Sequence, residues 1–104
     1  MTRRLVQILL PVNRQDGSAV SAEEFARVRI ELTERFGGVT AYSRSPATGL
    51  WKSAEDEVER DQVIMVEVVV DEFDPRWWEQ YRQALERRFD QQEIHARALA
   101  LELI

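Results

Sequence analysis

The sequence has no cysteine and only one histidine among its 104 residues. Without cysteine the chain can form neither disulfide bonds nor thiolate metal sites, and it lacks the nucleophile of cysteine-dependent enzymes. A single histidine also excludes a metal site built from several histidines of one chain. We therefore expect no metal or other cofactor, while the redox environment of the protein stays open.

Long apolar runs and an excess of positive charge are missing as well. No stretch has the roughly 20 apolar residues that a membrane-spanning helix requires. Arg3 and Arg4 precede apolar residues as in a signal peptide, but Gln7 and Pro11 interrupt that run and no small-residue cleavage site follows. The formal charge of -5, with acids and bases mixed, disfavours nucleic acids and anionic membranes as partners. We expect a soluble, cytoplasmic protein.

Two apolar segments are typical of buried strands. Residues 61–71 contain an apolar and largely β-branched run that only Glu67 interrupts between Val63 and Val70. Residues 5–12 are similar, with Gln7 set among apolar neighbours. A chain of this length can bury an ordinary apolar core. The sequence therefore predicts a single domain over residues 1–104, organised around these two strands.

The first helix is predicted to begin at a capping box. In that motif the Ser21 hydroxyl accepts from the Glu24 amide, and the Glu24 carboxylate reaches back to the Ser21 amide. The helix should end at Gly37, since glycine adopts the left-handed cap conformation at little cost. Spacing of three and four residues predicts a buried stripe and places four charged residues outside it. The stripe is Phe25, Val28, Leu32 and Phe36, and the outer residues are Arg27, Glu31, Glu34 and Arg35.

The second helix is predicted to begin at Asp74 and Pro75. Aspartate is a favourable N-cap, and proline fits the first helical position because the missing amide hydrogen has no partner there. Trp77 lies beside the predicted inner stripe, where it could reach a partner. The stripe itself is Trp78, Tyr81, Leu85 and Phe89.

The remaining segments predict two further strands and a hairpin. Residues 39–44 alternate as a strand does, and the turn-rich residues after them lead to Leu50, Trp51 and Lys52, which could pair back as a hairpin extension. The last segment, residues 94–104, could be helical by its alanine and leucine content. We predict a strand because small and large residues alternate strictly from Ala96 to Leu101.

The resulting order, strand-helix-strand-strand-helix-strand, is that of a ferredoxin-like βαββαβ fold of the α+β class. Such a fold has an antiparallel sheet of order 4-1-3-2 with both helices on one face. Alternation places many apolar residues on the open face, more than a monomer usually exposes, so we expect a homodimer. The residues expected there are Leu5, Gln7, Leu9, Thr40, Tyr42, Arg44, Val63, Met65, Glu67, Val69, His95, Arg97, Leu99 and Leu101.

With this element order the chain resembles the dimeric α/β-barrel superfamily of small ferredoxin-like proteins. It is also similar to uncharacterised bacterial families that share short patterns at residues 38–40, 49–51 and 60–61, namely Gly-Val-Thr, Gly-Leu-Trp and Arg-Asp. The superfamily includes cofactor-independent monooxygenases, haem proteins, small-molecule isomerases and modules without known activity. The resemblance therefore implies a fold and a dimer, but no particular reaction.

Polar residues among the apolar ones define a candidate site. Glu67 and His95 are the candidate catalytic residues, because a carboxylate in an apolar cleft or a histidine can exchange protons near neutral pH. The candidate ligand-binding residues are Gln7, Tyr42, Arg44, Trp51 and Arg97. The stronger interpretation of the charges is an ion-pair network at the interface, in which Glu67 pairs with Arg97 or Arg44 of either subunit. The stronger interpretation of Tyr42 and Trp51 is packing in the core or an interface.

Three functions are compatible with these features. The first is a small homodimeric binding or interaction module with a small-molecule ligand. The alternative is a cofactor-independent enzyme, similar to the monooxygenases or isomerases, that acts on a small organic substrate on the sheet face. A third is a regulatory subunit that docks another protein through Trp51, Trp77 or the acidic residues 55–61. RNA recognition is rejected, since the central strands carry aliphatic residues where such modules place base-stacking aromatics.

Overall fold

The computed structural model describes residues 3–44 and 63–104, except for the side chains of residues 42–44. In these ranges the chain forms four strands and two helices. They are β1 (Arg4–Pro11), α1 (Ala22–Phe36), β2 (Thr40–Arg44), β3 (Val63–Val70), α2 (Pro75–Arg88) and β4 (Ala96–Ala100). The predicted hairpin extension, with Trp51, lies outside the described residues.

The four strands form one antiparallel sheet in the order β2-β3-β1-β4. This is the predicted order 4-1-3-2, so the α+β class and the ferredoxin-like arrangement of the elements are confirmed. The two most apolar strands, β1 and β3, lie at the centre of the sheet. They pair along their whole length, from Arg4 opposite Val70 to Pro11 opposite Val63.

The core lies between one face of the sheet and the two helices. Even-numbered residues of β1 and β3 form the sheet side of this core, because alternate residues of a strand point to the same face. These are Val6, Ile8, Leu10, Val66, Val68 and Val70, each almost fully buried. Val28 and Leu32 of α1 pack against them, together with Trp78 and Leu85 of α2. By contrast Ala41, Ala98 and Ala100 are exposed because they belong to the edge strands.

The helix ends follow the predicted chemistry with one correction. Ser21 Oγ accepts from the Glu24 amide at 3.3 Å, and Gly37 closes α1 at φ 86°. The Glu24 carboxylate does not form the reciprocal half of the capping box. Its Oε1 instead accepts from Arg88 on α2 at 2.7 Å. At α2 the Asp74 carboxylate accepts from two backbone amides of the first turn.

The last strand is shorter than the predicted range of residues 94–104. It covers only Ala96–Ala100, and residues 101–104 continue beyond it without strand structure. The cause is the length of its neighbour, because Ala100 lies opposite Arg4, the first residue of β1. Beyond that pair β1 offers no further strand residue for hydrogen bonding.

Trp77 belongs to an aromatic cluster that joins the two helices. Its ring stacks on Tyr81 at 5.0 Å between centroids and meets the edge of Phe36 at 5.3 Å. The Arg35 guanidinium lies 4.3 Å from the Trp77 ring centroid, within the range of a cation–π contact. The half-buried ring therefore packs within its own chain, and the expectation that Trp77 reaches a partner stays a prediction.

Candidate functional site

A row of four residues crosses the sheet face that points away from the helices. Arg97 of β4 lies opposite Gln7 of β1, Gln7 lies opposite Glu67 of β3, and Glu67 lies opposite Thr40 of β2. Residues paired in this way share one face and have neighbouring side chains. We call Arg97, Gln7, Glu67 and Thr40 the polar row.

Hydrogen bonds connect three members of the polar row. Arg97 Nε donates to Gln7 Oε1 at 2.6 Å, and Gln7 Nε2 donates to Glu67 Oε2 at 2.6 Å. The predicted direct pairing of Glu67 with Arg97 is therefore wrong within one chain, because β1 lies between their strands and Gln7 bridges them. The Nη atoms of Arg97 and the second oxygen of Glu67 have no hydrogen-bond partner among the described residues.

An apolar row runs beside the polar row on the same face. Leu99 lies opposite Leu5, and Leu5 lies opposite Val69. Val69 is 44% exposed and Leu99 is 43% exposed, whereas Leu5 at the sheet centre is half-buried. We call Leu99, Leu5 and Val69 the apolar row. Together the two rows present charged and aliphatic groups side by side on an exposed surface.

On the other side of the polar row the face is less exposed than we expected. Leu9 lies opposite Met65, and Met65 lies opposite Tyr42. Met65 is fully buried, although it is not part of the core between the sheet and the helices. The exposed part of this face is therefore concentrated at the polar and apolar rows.

A groove of about 530 Å³ lies where these two rows meet the end of α1. Its walls come from Leu5, Glu67 and Val69 of the central strands and from the segment that links α1 to β2. That segment includes Gly37 and Gly38, and no atom lies within 4 Å of where a Cβ would stand on either. The groove thus combines a carboxylate with apolar walls, and backbone is accessible at two glycines. Its lining residues are Leu5, Phe36, Gly37, Gly38, Val39, Thr40, Glu67 and Val69.

The structure brings together only part of the predicted site. Gln7, Glu67 and Arg97 are in contact, as described above. His95 is exposed and lies just before β4, where its carbonyl accepts from the Leu9 amide at 3.0 Å. His95 lies two strands across the sheet from Glu67 and one row of same-face side chains further along the strands. By strand spacing, their Cα atoms are about 12 Å apart. The two candidate catalytic residues of one chain therefore lie at separate positions on the sheet.

The other predicted binding residues are placed only by backbone register or not at all. Tyr42 lies opposite Met65 and Arg44 lies opposite Val63, both on β2. The side chains of these two residues and the whole of Trp51 lie outside the described part of the chain. Thr40, Gly37 and Gly38 were not among the predicted site residues, and the groove adds them.

A second polar cluster, which sequence reasoning missed, joins the two helices. Arg88 donates from Nε to Glu24 at 2.7 Å and from Nη1 to Glu31 at 2.9 Å. The Tyr81 hydroxyl donates to the same Glu31 oxygen at 2.9 Å, and Arg27 pairs with the other oxygen at 3.2 Å. Glu31, predicted outside the helix stripe, is in fact half-buried in this cluster. Its members are Glu24, Arg27, Glu31, Tyr81 and Arg88, and we call them the interhelix cluster.

Ionisation in the interhelix cluster follows from its contacts. Burial by itself would raise the pKa of Glu31, but hydrogen bonds from Arg88 and Tyr81 and the charges of Arg88 and Arg27 hold that pKa below its usual value. Burial, with the hydrogen bond to Glu31, raises the pKa of Tyr81 well above its usual range. The two arginines and two carboxylates balance in charge, and among the described residues only Arg88 Nη2 is buried without a hydrogen-bond partner. This arrangement indicates a brace between the helices rather than a site that exchanges protons.

No group of three or more potential ligand residues that could hold a metal ion is present in residues 3–44 and 63–104. Over the same ranges neither helix combines the length and apolar character needed to cross a membrane. No family model, no curated protein and no solved structure matches the chain.

Proposed function

We propose that the protein is a cytoplasmic homodimeric binding module that holds a small organic molecule between two sheet faces. The observation that carries the proposal is the polar row, hydrogen-bonded in sequence from Arg97 through Gln7 to Glu67 beside exposed aliphatic residues. Within this proposal the chain is a member of the dimeric α/β-barrel superfamily, which the order of its elements resembles.

The exposed aliphatic groups support a second copy as the cover of the face. Val69 and Leu99 flank Leu5 in one continuous row, so their exposed surfaces add to a single patch. Contiguous apolar patches of this kind on soluble proteins usually mark an interaction site. Two identical sheets can pack face to face about a two-fold axis, in which case each patch covers the other.

The polar groups support a small molecule as part of what fills the interface. Ligand pockets are mostly apolar and contain a few polar groups that fix orientation. The groove is more polar than such pockets, and it combines Glu67 and Thr40 with Leu5, Val69 and the backbone near Gly37. These groups favour a ligand that has a hydrogen-bond donor or a compact charged group on an apolar frame.

Native mass spectrometry of the purified full chain tests both parts of the proposal. We expect a dimer that carries a discrete extra mass, which is lost in the Glu67→Gln variant while the subunit count stays at two. Gln83→Glu, on the exposed outer surface of α2, is the matched control and should retain the ligand. A bare dimer would contradict the ligand, and a monomer at micromolar concentration would contradict the dimer.

A second candidate is a cofactor-independent enzyme of the monooxygenase or isomerase kind. The specific observation in its favour is the Glu67 carboxylate, which lines the groove and has one oxygen without a partner among the described residues. Such an oxygen could accept a proton from a substrate in the groove. His95 does not fit the same role, given its separation from Glu67 across two strands.

The test of this second candidate uses the molecule identified by mass spectrometry. It is incubated with wild-type protein, with Glu67→Gln and with His95→Ala, and its conversion is followed by chromatography. We expect conversion to fall by a factor of about 10² or more in Glu67→Gln and to persist in His95→Ala. Conversion that is equal in wild-type and Glu67→Gln protein would contradict the assignment of Glu67.

A further inference from the structure

We infer that each copy of the chain completes the groove of the other, because Arg97 of one subunit pairs across the interface with Glu67 of the partner subunit. The inference rests on the proposed function, since it requires the two sheet faces to meet. It adds the direction of the two-fold axis, which is parallel to the strands. It also adds a guanidinium beside Glu67, because the Arg97 of the same chain bonds to Gln7 instead.

The polar row is asymmetric about the middle of the sheet. The midline of the four-stranded sheet falls between β3 and β1, and therefore between Glu67 and Gln7. Arg97 lies at the β4 edge, one strand beyond Gln7, so the positive charge and the negative charge are at unequal distances from the midline. A two-fold rotation about this midline therefore places neither Arg97 nor Glu67 over its own copy in the partner subunit.

An axis along the midline places a carboxylate next to each guanidinium. Rotation about it exchanges β1 with β3 and β4 with β2, so the partner's Glu67 lies over Gln7, one strand away from Arg97. Strands are about 4.8 Å apart and packed sheets about 10 Å apart, which puts the Cα atoms of Arg97 and the partner's Glu67 about 11 Å apart. Extended arginine and glutamate side chains can bridge this distance. Symmetry then provides two such pairs in each dimer.

The observed side-chain contacts already direct both groups toward this pairing. Arg97 Nε donates to Gln7, which draws the guanidinium from the sheet edge over the position that the partner's carboxylate would occupy. Among the described residues the Nη atoms have no other hydrogen-bond partner, and their planar arrangement suits a bidentate pair with a carboxylate. Gln7 in turn holds one oxygen of Glu67, and the other has no partner in the part of the chain that the structure describes.

The alternative axis, perpendicular to the strands and along the polar row, is disfavoured by charge. It would place each residue of the row over its own copy, so that Arg97 would face Arg97 and Glu67 would face Glu67. Like charges that are brought together in an interface oppose association. The two axes therefore predict opposite effects when the Arg97 charge is removed.

The first experiment measures the dimer dissociation constant of Arg97→Gln by sedimentation equilibrium. Loss of two intersubunit pairs should weaken the dimer by about tenfold or more, and the effect should shrink at high salt. Arg29→Gln is the matched control, because Arg29 is exposed on α1 and far from the sheet face. A tighter Arg97→Gln dimer would overturn the inference in favour of the perpendicular axis, and an unchanged constant would overturn the pairing.

The second experiment mixes two charge-reversal variants, Arg97→Glu and Glu67→Arg, and counts species by native mass spectrometry. Each variant alone has like charges at the proposed pair and should dimerise more weakly than wild type. In the mixture every Glu67–Arg97 position across the interface again has opposite charges, so we expect predominantly heterodimer. Within each chain the charges stay mismatched, so recovery of the dimer cannot come from contacts inside one subunit.

The outcomes separate this inference from the proposed function. A wild-type monomer would contradict the homodimer itself. A wild-type dimer whose two reversal variants form no excess of heterodimer would leave the homodimer standing and overturn the intersubunit pair. Thermal unfolding followed by circular dichroism shows whether each variant is folded, and Arg97→Gln supplies the same test if a reversal variant is not.

Discussion

Gln7 Nε2 and Glu67 Oε2 are 2.6 Å apart, and the two residues lie directly opposite each other on the central strands of the sheet. The contact turns two isolated polar residues in apolar strands into one hydrogen-bonded unit, which Arg97 extends to the sheet edge. It fixes the amide orientation of Gln7, and it leaves one oxygen of Glu67 for a ligand or a second subunit.

Replacing Gln7 by methionine should reduce stability modestly. The side chain keeps its length but loses both hydrogen bonds, and the cost should be about 1 kcal/mol because water can still reach the half-buried partners. Urea unfolding at pH 7 and fixed protein concentration measures the change. Gln83→Met, at an exposed position of α2, should change the unfolding free energy by less than about 0.5 kcal/mol. Equal effects of the two substitutions would argue against the contact.

Replacing Arg88 by methionine should cost more, about 2 to 3 kcal/mol. The side chain is largely buried and holds two carboxylates, so its loss leaves Glu24 and Glu31 next to each other without their cation. Arg87→Met, on the exposed side of the same helix, is the control and should have little effect. The measurement is again the free energy of unfolding, and a cost near zero would show that the interhelix cluster does not brace the helices.

The contribution of Glu31 to stability should depend on pH. Its pKa is lower in the folded protein than in the unfolded chain, so its ionised form stabilises the fold fully above the unfolded pKa of about 4.5. That stabilisation is lost as the pH falls through the lower folded pKa. We expect Glu31→Gln to destabilise the protein at pH 7 and the difference from wild type to shrink below about pH 4. A difference that stays constant from pH 7 to pH 3 would contradict this behaviour.

The two glycines beside the groove should respond differently to alanine. Gly37 has φ 86°, a conformation that disfavours residues with a Cβ, whereas Gly38 lies outside that region. Neither position has an atom within 4 Å of the added Cβ, so only backbone conformation distinguishes them. Gly37→Ala should therefore cost about 1 kcal/mol and Gly38→Ala much less, as measured by thermal unfolding. Equal costs would remove the conformational argument.

Much of the sheet could be predicted because the alternation of side chains along each strand is a local feature of the sequence. Alternation assigned Gln7 and Glu67 to one face, and the element order made their strands neighbours. Their position directly opposite each other could not be predicted, since it depends on where β1 and β3 begin and end. The same limit explains β4, whose pattern continues beyond Ala100 although β1 has no residue left to pair with it.

The interhelix cluster was missed for a different reason. Periodicity places Glu31 outside the predicted stripe of α1, but Tyr81, Leu85 and Arg88 have the spacing of a single buried stripe on α2. Glu24, Val28 and Glu31 repeat that spacing on α1. The available signal was the presence of acidic residues on the inner stripe of α1 and of an arginine on the inner stripe of α2. The periodicity of each helix does not encode the distance between the two helices.

The most direct measurement is sedimentation equilibrium of wild-type protein beside Val69→Lys and Ile30→Lys. Val69 lies in the apolar row of the sheet face, where lysine is near Glu67 and Asp71 and should be tolerated by the single chain. Ile30 is 57% exposed on α1, away from that face. If the sheet faces meet, wild type and Ile30→Lys have twice the 12.2 kDa chain mass, and Val69→Lys has the mass of one chain at micromolar concentration. A monomeric wild type, or a Val69→Lys dimer as stable as the wild-type dimer, would contradict an interface through the sheet face.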